Sequence, residues 1–131
     1  MSKYMNLIGQ NARKASLEKI NTKVKNKILK RYASLLDKER NSIINENTKD
    51  IKFALKKRLK NNLIDRLSIN HEKLDNIKNS INKIIKLKDP VDNTLDKWSR
   101  PNGLKIKRVS IPIGVIGVIY ESRPNVTSDV A

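Results

Sequence analysis

From the start of the chain to Pro90, apolar residues recur at steps of three and four, and the rhythm breaks at recognisable places. Ile8, Ala12 and Ala15 share one face of a segment from about Tyr4 to Lys19, which predicts a short amphipathic helix. Asn21 or Thr22 can cap a second helix, whose positions Val24, Ile28, Tyr32, Leu35 and Leu36 keep the rhythm without a Gly or Pro to interrupt it. Ser42 to Glu46 predicts another short helical turn, after which Thr48 can cap a segment with Ile51, Ala54, Leu55 and Leu59 on one stripe, punctuated by Asn61-Asn62. Leu63 to Leu67 forms a further helical piece. Asn70 then caps a long helix carrying Leu74, Ile77, Ile81, Ile84 and Ile85, which Asp89-Pro90 ends because the residue before a proline is pushed out of the α region. The stripe of that helix spans about two heptads, short of the three or four a coiled coil sustains. Packing on a neighbouring helix or sheet is therefore the expectation.

At Pro90 the texture becomes extended. Thr94 to Ser99 and Leu104 to Ile111 read as strands, and Arg100-Pro101-Asn102-Gly103 between them has hairpin turn chemistry. Leu104, Ile106 and Val109 are interleaved with Lys105, Lys107 and Arg108, so one face of the second strand stays wet. Trp98 reads as a hairpin aromatic packing on a neighbouring element or subunit rather than as a ligand platform. Next comes Ile111-Pro-Ile-Gly-Val-Ile-Gly-Val-Ile-Tyr-Glu-Ser-Arg-Pro-Asn-Val-Thr127, an apolar, β-branched run ending in polar residues. Such a run suits a strand buried on both faces of a parallel sheet, with the polar cluster at its carboxyl end, where open α/β sheets bind ligands.

Composition narrows the functions available. With 131 residues the chain could be one ordinary domain, and with only 4% aromatic residues its core must come from Ile, Leu and Val. The absence of cysteine excludes disulfides, thiolate metal sites and a cysteine nucleophile within these residues. His71 stands alone, without a second His or carboxylate at ligand spacing, so no metal site is expected. No run is long enough for a membrane span, and Met1-Ser-Lys-Tyr-Met-Asn6 lacks a signal-peptide core, which makes the cytoplasm the expected compartment. The formal charge of +16 raises the alternative of a small basic helical nucleic-acid-binding module. Its Lys residues are spread over most of the predicted helices and lack interleaved aromatics for base stacking, which speaks against that alternative. Abundant Lys, Asn and Ile match the codons of an AT-rich genome instead.

Trp98-Ser-Arg-Pro-Asn-Gly-Leu104 and the run from Val109 to Thr127 strongly resemble the γ-glutamyl phosphate reductases (glutamate-5-semialdehyde dehydrogenases) of the aldehyde dehydrogenase superfamily. Weaker similarity extends upstream through Leu7-Ile-Gly-Gln-Asn-Ala-Arg-Lys-Ala15, Asn47-Thr-Lys-Asp-Ile51, Leu63-Ile-Asp-Arg-Leu67 and Leu87-Lys-Asp-Pro-Val91. The resemblance implies an α/β fold, with N-terminal helices, a β-hairpin and the first strand of a Rossmann-like parallel sheet. It also implies that the chain is the N-terminal part of an incomplete aldehyde dehydrogenase fold. Residues 1–89 would be the helical segment of the nucleotide-binding domain, 90–111 a hairpin of a bridging or oligomerisation sheet, and 112–131 the first strand and helix start. The implied activity is NADPH-dependent conversion of γ-glutamyl 5-phosphate to glutamate 5-semialdehyde and phosphate in proline biosynthesis. A homo-oligomer is the implied assembly, and the catalytic cysteine would lie outside this chain.

The resemblance points to the loop after the strand. Other aldehyde dehydrogenases carry there an Asn whose amide helps stabilise the oxyanion; Ser122 takes that place here and offers one hydroxyl donor. Arg123 and Asn125 admit two readings. The guanidinium can pair with a phosphate or carboxylate of the substrate while the amide completes the cradle, or Arg123 can pair with Glu121 while Asn125 or Thr127 caps the helix. Gly114, Gly117 and Tyr120 are the candidates on the cofactor side of the strand for NADPH, although the two glycines do not form a G-x-G-x-x-G fingerprint.

Overall fold

The computed structural model describes residues 3–121 and 123–130, which are mostly helical with one two-stranded antiparallel sheet. They divide into two compact units, residues 3–21 with 88–117 and residues 22–87 with 118–121 and 123–130.

The second unit is built on four helices: α2 (Thr22–Lys38), α3 (Arg40–Lys56), α4 (Asn61–Leu67) and α5 (His71–Lys86). Helix α2 packs along α5, and α3 touches α2, α4 and α5. Between them lies a small core of Ala33, Ala54, Leu74 and Ile81. Leu74 and Ile81 sit seven residues apart on α5, so both face the same neighbour, and the packing expected of the α5 stripe is found against α2. On α2 the buried position is Ala33, flanked by half-buried Leu29 and Leu36, whereas Val24 and Ile28 of the predicted stripe remain exposed. The small Ala33 side chain lets the helices approach closely, and the packed face is turned away from Val24 and Ile28.

Two local expectations are corrected. The predicted break at Thr48 does not occur: α3 runs without interruption, and the Thr48 hydroxyl donates to the Ile44 carbonyl at 2.9 Å instead of capping a new helix. A threonine hydroxyl bonded back to the preceding turn is satisfied inside a helix, so it need not end one. Helix α3 ends at Lys56, and two residues on Arg58 takes a left-handed φ of 55°. There Arg58 N–H donates to Leu55 O at 2.9 Å and Leu59 N–H to Ala54 O at 3.1 Å, the bonding of a Schellman motif with arginine where glycine usually stands. Asn61 and Asn62 open α4. As expected, Asn70 caps α5, its Oδ1 accepting from Lys73 N–H at 2.8 Å.

A charge network joins α2, α3 and α5. Arg40 donates to Asp37 Oδ1 at 2.9 Å and to Asp75 Oδ1 at 2.5 Å, while Lys78 pairs with the other Asp37 oxygen. Arg40 also reaches the His71 carbonyl at 3.1 Å, next to the start of α5. Hydrogen bonds from Lys78 and then Arg40 hold the Asp37 carboxyl below the usual carboxylate range, and the bond from Arg40 does the same for Asp75.

The first unit contains α1 (Lys3–Ser16) and the hairpin β1 (Thr94–Ser99) with β2 (Lys105–Val109). Trp98 stands opposite Ile106 and Thr94 opposite Val109, with a register irregularity between Thr94 and Asp96. The turn closes through Gly103 N–H to Arg100 O at 2.9 Å, and Gly103 adopts φ 84°, a conformation glycine takes without strain. Ser110 ties the base of the hairpin, donating its N–H to Asn93 O at 2.9 Å and accepting from Asn93 N–H on its hydroxyl at 3.0 Å.

The run predicted as the opening strand of a parallel sheet, Ile111 to Tyr120, forms no strand. Its side chains are exposed, Ile113 at 89% and Ile119 fully so. A parallel-sheet strand is held by ladders along its edges, and among the described residues the one ladder is β1 with β2.

Candidate functional site

The polar loop leads into α6 (Pro124–Val130) in the second unit. Pro124 stands at the first helical position, where its missing N–H costs nothing and its fixed φ suits the helix. The Arg123 carbonyl accepts from Val126 N–H at 3.1 Å. Neither capping reading holds, because Asn125 and Thr127 lie within the helix. The Asn125 amide donates to Asp129 Oδ2 at 3.1 Å, one turn further on, and the Thr127 hydroxyl lies 3.1 Å from the Tyr120 phenol.

Arg123, Asn125 and Asp129 line a cavity of about 440 Å³ whose other wall comes from α4, the α4–α5 junction and α5. Its apolar surface is supplied by Ile69, Ile77 and Pro124, and its polar groups include Asn76 and Ser80. That mixture and size are typical of small-molecule sites.

Two side chains hold the far wall in place. Asn47, buried on α3, donates its amide to Leu67 O at 2.9 Å and accepts from Ile69 N–H at 2.6 Å. Lys73 lines the cavity, but its ammonium is committed: it donates to Asp65 O at 2.7 Å and to Ser68 O and Oγ at 2.8 Å each. Arg66 and Arg123 have neither an ion pair nor a side-chain hydrogen bond among the described residues. They are the cavity's cations with free N–H donors.

The structure therefore brings two of the predicted loop residues, Arg123 and Asn125, into one cavity, while Ser122 lies outside the described residues. Gly114 and Gly117 are in the first unit and Tyr120 is in the second. A Cβ added at either glycine would meet nothing within 4 Å, so no close wall requires their small size, although the φ of 103° at Gly114 does favour glycine. The cavity residues Asp65, Arg66, Lys73, Asn76 and Ser80 carry no chemical motif. Asp65 and Arg66 do fall within the Leu63–Leu67 stretch that shares in the family resemblance, which was the available signal.

No protein-family model matches the chain. Over 112 residues it is 49% identical to a γ-glutamyl phosphate reductase of Nautilia profundicola, an alignment covering 86% of this chain and 27% of that protein. Over 120 residues it is 46% identical to the corresponding protein of Alkaliphilus metalliredigens, covering 92% of this chain and 29% of the relative. Among solved structures, the Thermotoga maritima γ-glutamyl phosphate reductase superposes with a TM-score of 0.85 at 41% identity, over 92% of this chain and 30% of that one. The chain is homologous to the γ-glutamyl phosphate reductases. The Saccharomyces cerevisiae reductase structure agrees, with a TM-score of 0.89 at 30% identity over 99% of this chain and 33% of that one. The chain thus spans about three tenths of the length of the reductases it matches.

Proposed function

We propose that the chain is the N-terminal part of a γ-glutamyl phosphate reductase and supplies one wall of its substrate site. In this reading the enzyme reduces γ-glutamyl 5-phosphate to glutamate 5-semialdehyde with release of phosphate, as a step of proline biosynthesis in the cytoplasm. The observation that carries it is the 49% identity to a reductase across most of the chain. The shape of the Arg123 cavity adds support, since its free guanidiniums suit an anionic substrate.

Several parts of the reaction must come from elsewhere. An acyl phosphate is attacked by a thiolate in the chemistry proposed, and these 131 residues contain no cysteine. NADPH would supply the hydride. Gly114, Gly117 and Tyr120 are the candidates on its side, yet the open space around both glycines does not form an enclosing cradle, so we assign these residues no step. Arg123 and Asn125 would orient the substrate, and Ser122 would offer its hydroxyl to the developing oxyanion. Assembly as a homo-oligomer, through the hairpin, belongs to the same proposal.

The charge of +16 favours no second reading by itself, because its Lys and Arg residues are spread over α1 to α5 and both strands rather than gathered in one patch. The test is a chimera in which this chain replaces the matching segment of the Thermotoga maritima reductase. NADP-dependent oxidation of glutamate 5-semialdehyde in the presence of phosphate should stay within about tenfold of the parent. A folded but inactive chimera would overturn the proposal.

A further inference from the structure

The cavity between α6 and the α4–α5 wall carries both signs of charge. Arg66 and Arg123 contribute guanidiniums, and Asp65 and Asp129 contribute carboxylates. The third cation, Lys73, keeps its charge but spends its three N–H donors on internal oxygens, so it has none left to direct at a ligand. Asp129 gives Oδ2 to the Asn125 amide, while its Oδ1 and the Asp65 carboxylate accept no hydrogen bond among the described residues. A site built for phosphate alone would gain nothing from two carboxylates, since like charges lining one cavity weaken anion binding. A ligand with a positive and a negative group close together uses all four side chains.

We infer that this cavity binds the head of an α-amino acid, with its carboxylate on the guanidiniums of Arg66 and Arg123 and its ammonium on the carboxylates of Asp65 and Asp129. The inference rests on the reductase reading and deepens it: the glutamyl end of the substrate is held here, and the acyl phosphate is directed away from the cavity. Arg123 thereby serves the α-carboxylate rather than the phosphate. The volume of about 440 Å³ accommodates a glutamyl group, and Ile69, Ile77 and Pro124 offer apolar surface to its methylenes. Planar guanidiniums bind a carboxylate in a fixed, bidentate manner, which sets the head group's orientation and hence the direction of the side chain.

The test is a set of NMR titrations of the chain with L-glutamate, glutarate, 4-aminobutyrate and inorganic phosphate. Glutarate lacks the ammonium and 4-aminobutyrate lacks the α-carboxylate. L-glutamate should shift the amides of Arg66, Ser80 and Asn125, and each trimmed compound should bind about tenfold or more weakly, as expected for the loss of a charge-assisted contact. Arg66→Gln should weaken L-glutamate but leave 4-aminobutyrate unchanged, and Asp65→Asn should bring L-glutamate down towards glutarate. Equal binding of glutarate and L-glutamate would overturn the inference, as would the same shifts from phosphate alone or no shift at these amides. Selective glutamate binding with an inactive chimera would sink the reductase reading alone. An active chimera whose cavity ignores the ammonium would sink this inference alone.

Discussion

Asn47 and Ile69 are joined by a 2.6 Å hydrogen bond in which a buried side-chain carbonyl on α3 accepts the backbone N–H at the α4–α5 junction. The same amide donates to Leu67 O, so one residue satisfies the backbone on both sides of Ser68. Ile69 also lines the candidate cavity, which couples a structural staple to the site wall. Asn47→Ala leaves two backbone groups without their partner and should cost about 2 kcal/mol. Urea unfolding would measure the loss, and a change within experimental error would show that water replaces the amide freely.

Arg58 occupies a left-handed position that glycine takes without strain. Arg58→Gly should raise stability by roughly 0.5–1 kcal/mol, seen as a higher melting temperature. A lower one would mean that the arginine side chain contributes more than its backbone costs.

The carboxyls of Asp37 and Asp75 both titrate below their ordinary range in the folded chain, because Lys78 and Arg40 donate to the first and Arg40 to the second. As pH falls, the unfolded chain takes up these protons first. The network's contribution is therefore complete above the unfolded carboxylate value of about 3.9 and is lost as pH drops through the lower, folded values. Unfolding midpoints followed by circular dichroism should fall below about pH 4, and Asp37→Asn combined with Asp75→Asn should flatten that acid limb. An unchanged limb in the double variant would assign acid sensitivity to other groups.

Ile113 and Ile119 are fully or almost fully exposed within a β-branched apolar run. The chain by itself should associate through this run, since exposed apolar extended segments pair with other chains. Ile113→Lys with Ile119→Lys should shift size-exclusion elution towards monomer while changing stability by less than about 0.5 kcal/mol. Unchanged elution would place any association elsewhere.

What could be read from sequence follows the range of the interactions involved. The α5 stripe, the Asn70 cap and the Arg100–Gly103 turn depend on neighbours a few residues away, and each is found as expected except that Ile84 of the stripe stays exposed. Thr48 misled because a side chain able to cap a helix can also bond back within one. The left-handed turn at Arg58 had no signal, since glycine is the usual mark of that conformation. The run from Ile111 to Tyr120 has strand chemistry, but a strand also requires partners, and the described residues hold none for it. Arg123 and Asn125 were legible as a polar cluster. Their meeting with Arg66 and Asp65 was not, because tertiary packing alone brings these distant segments together.

Whether Arg123 lies on the substrate side of a γ-glutamyl phosphate reductase is read from a steady-state comparison of Arg123→Gln with the unmodified chain in the Thermotoga maritima chimera. Loss of a charge-assisted contact to substrate should raise KM for glutamate 5-semialdehyde by about tenfold or more, with a smaller change in kcat. An unchanged KM in a folded, active chimera would place Arg123 away from the substrate.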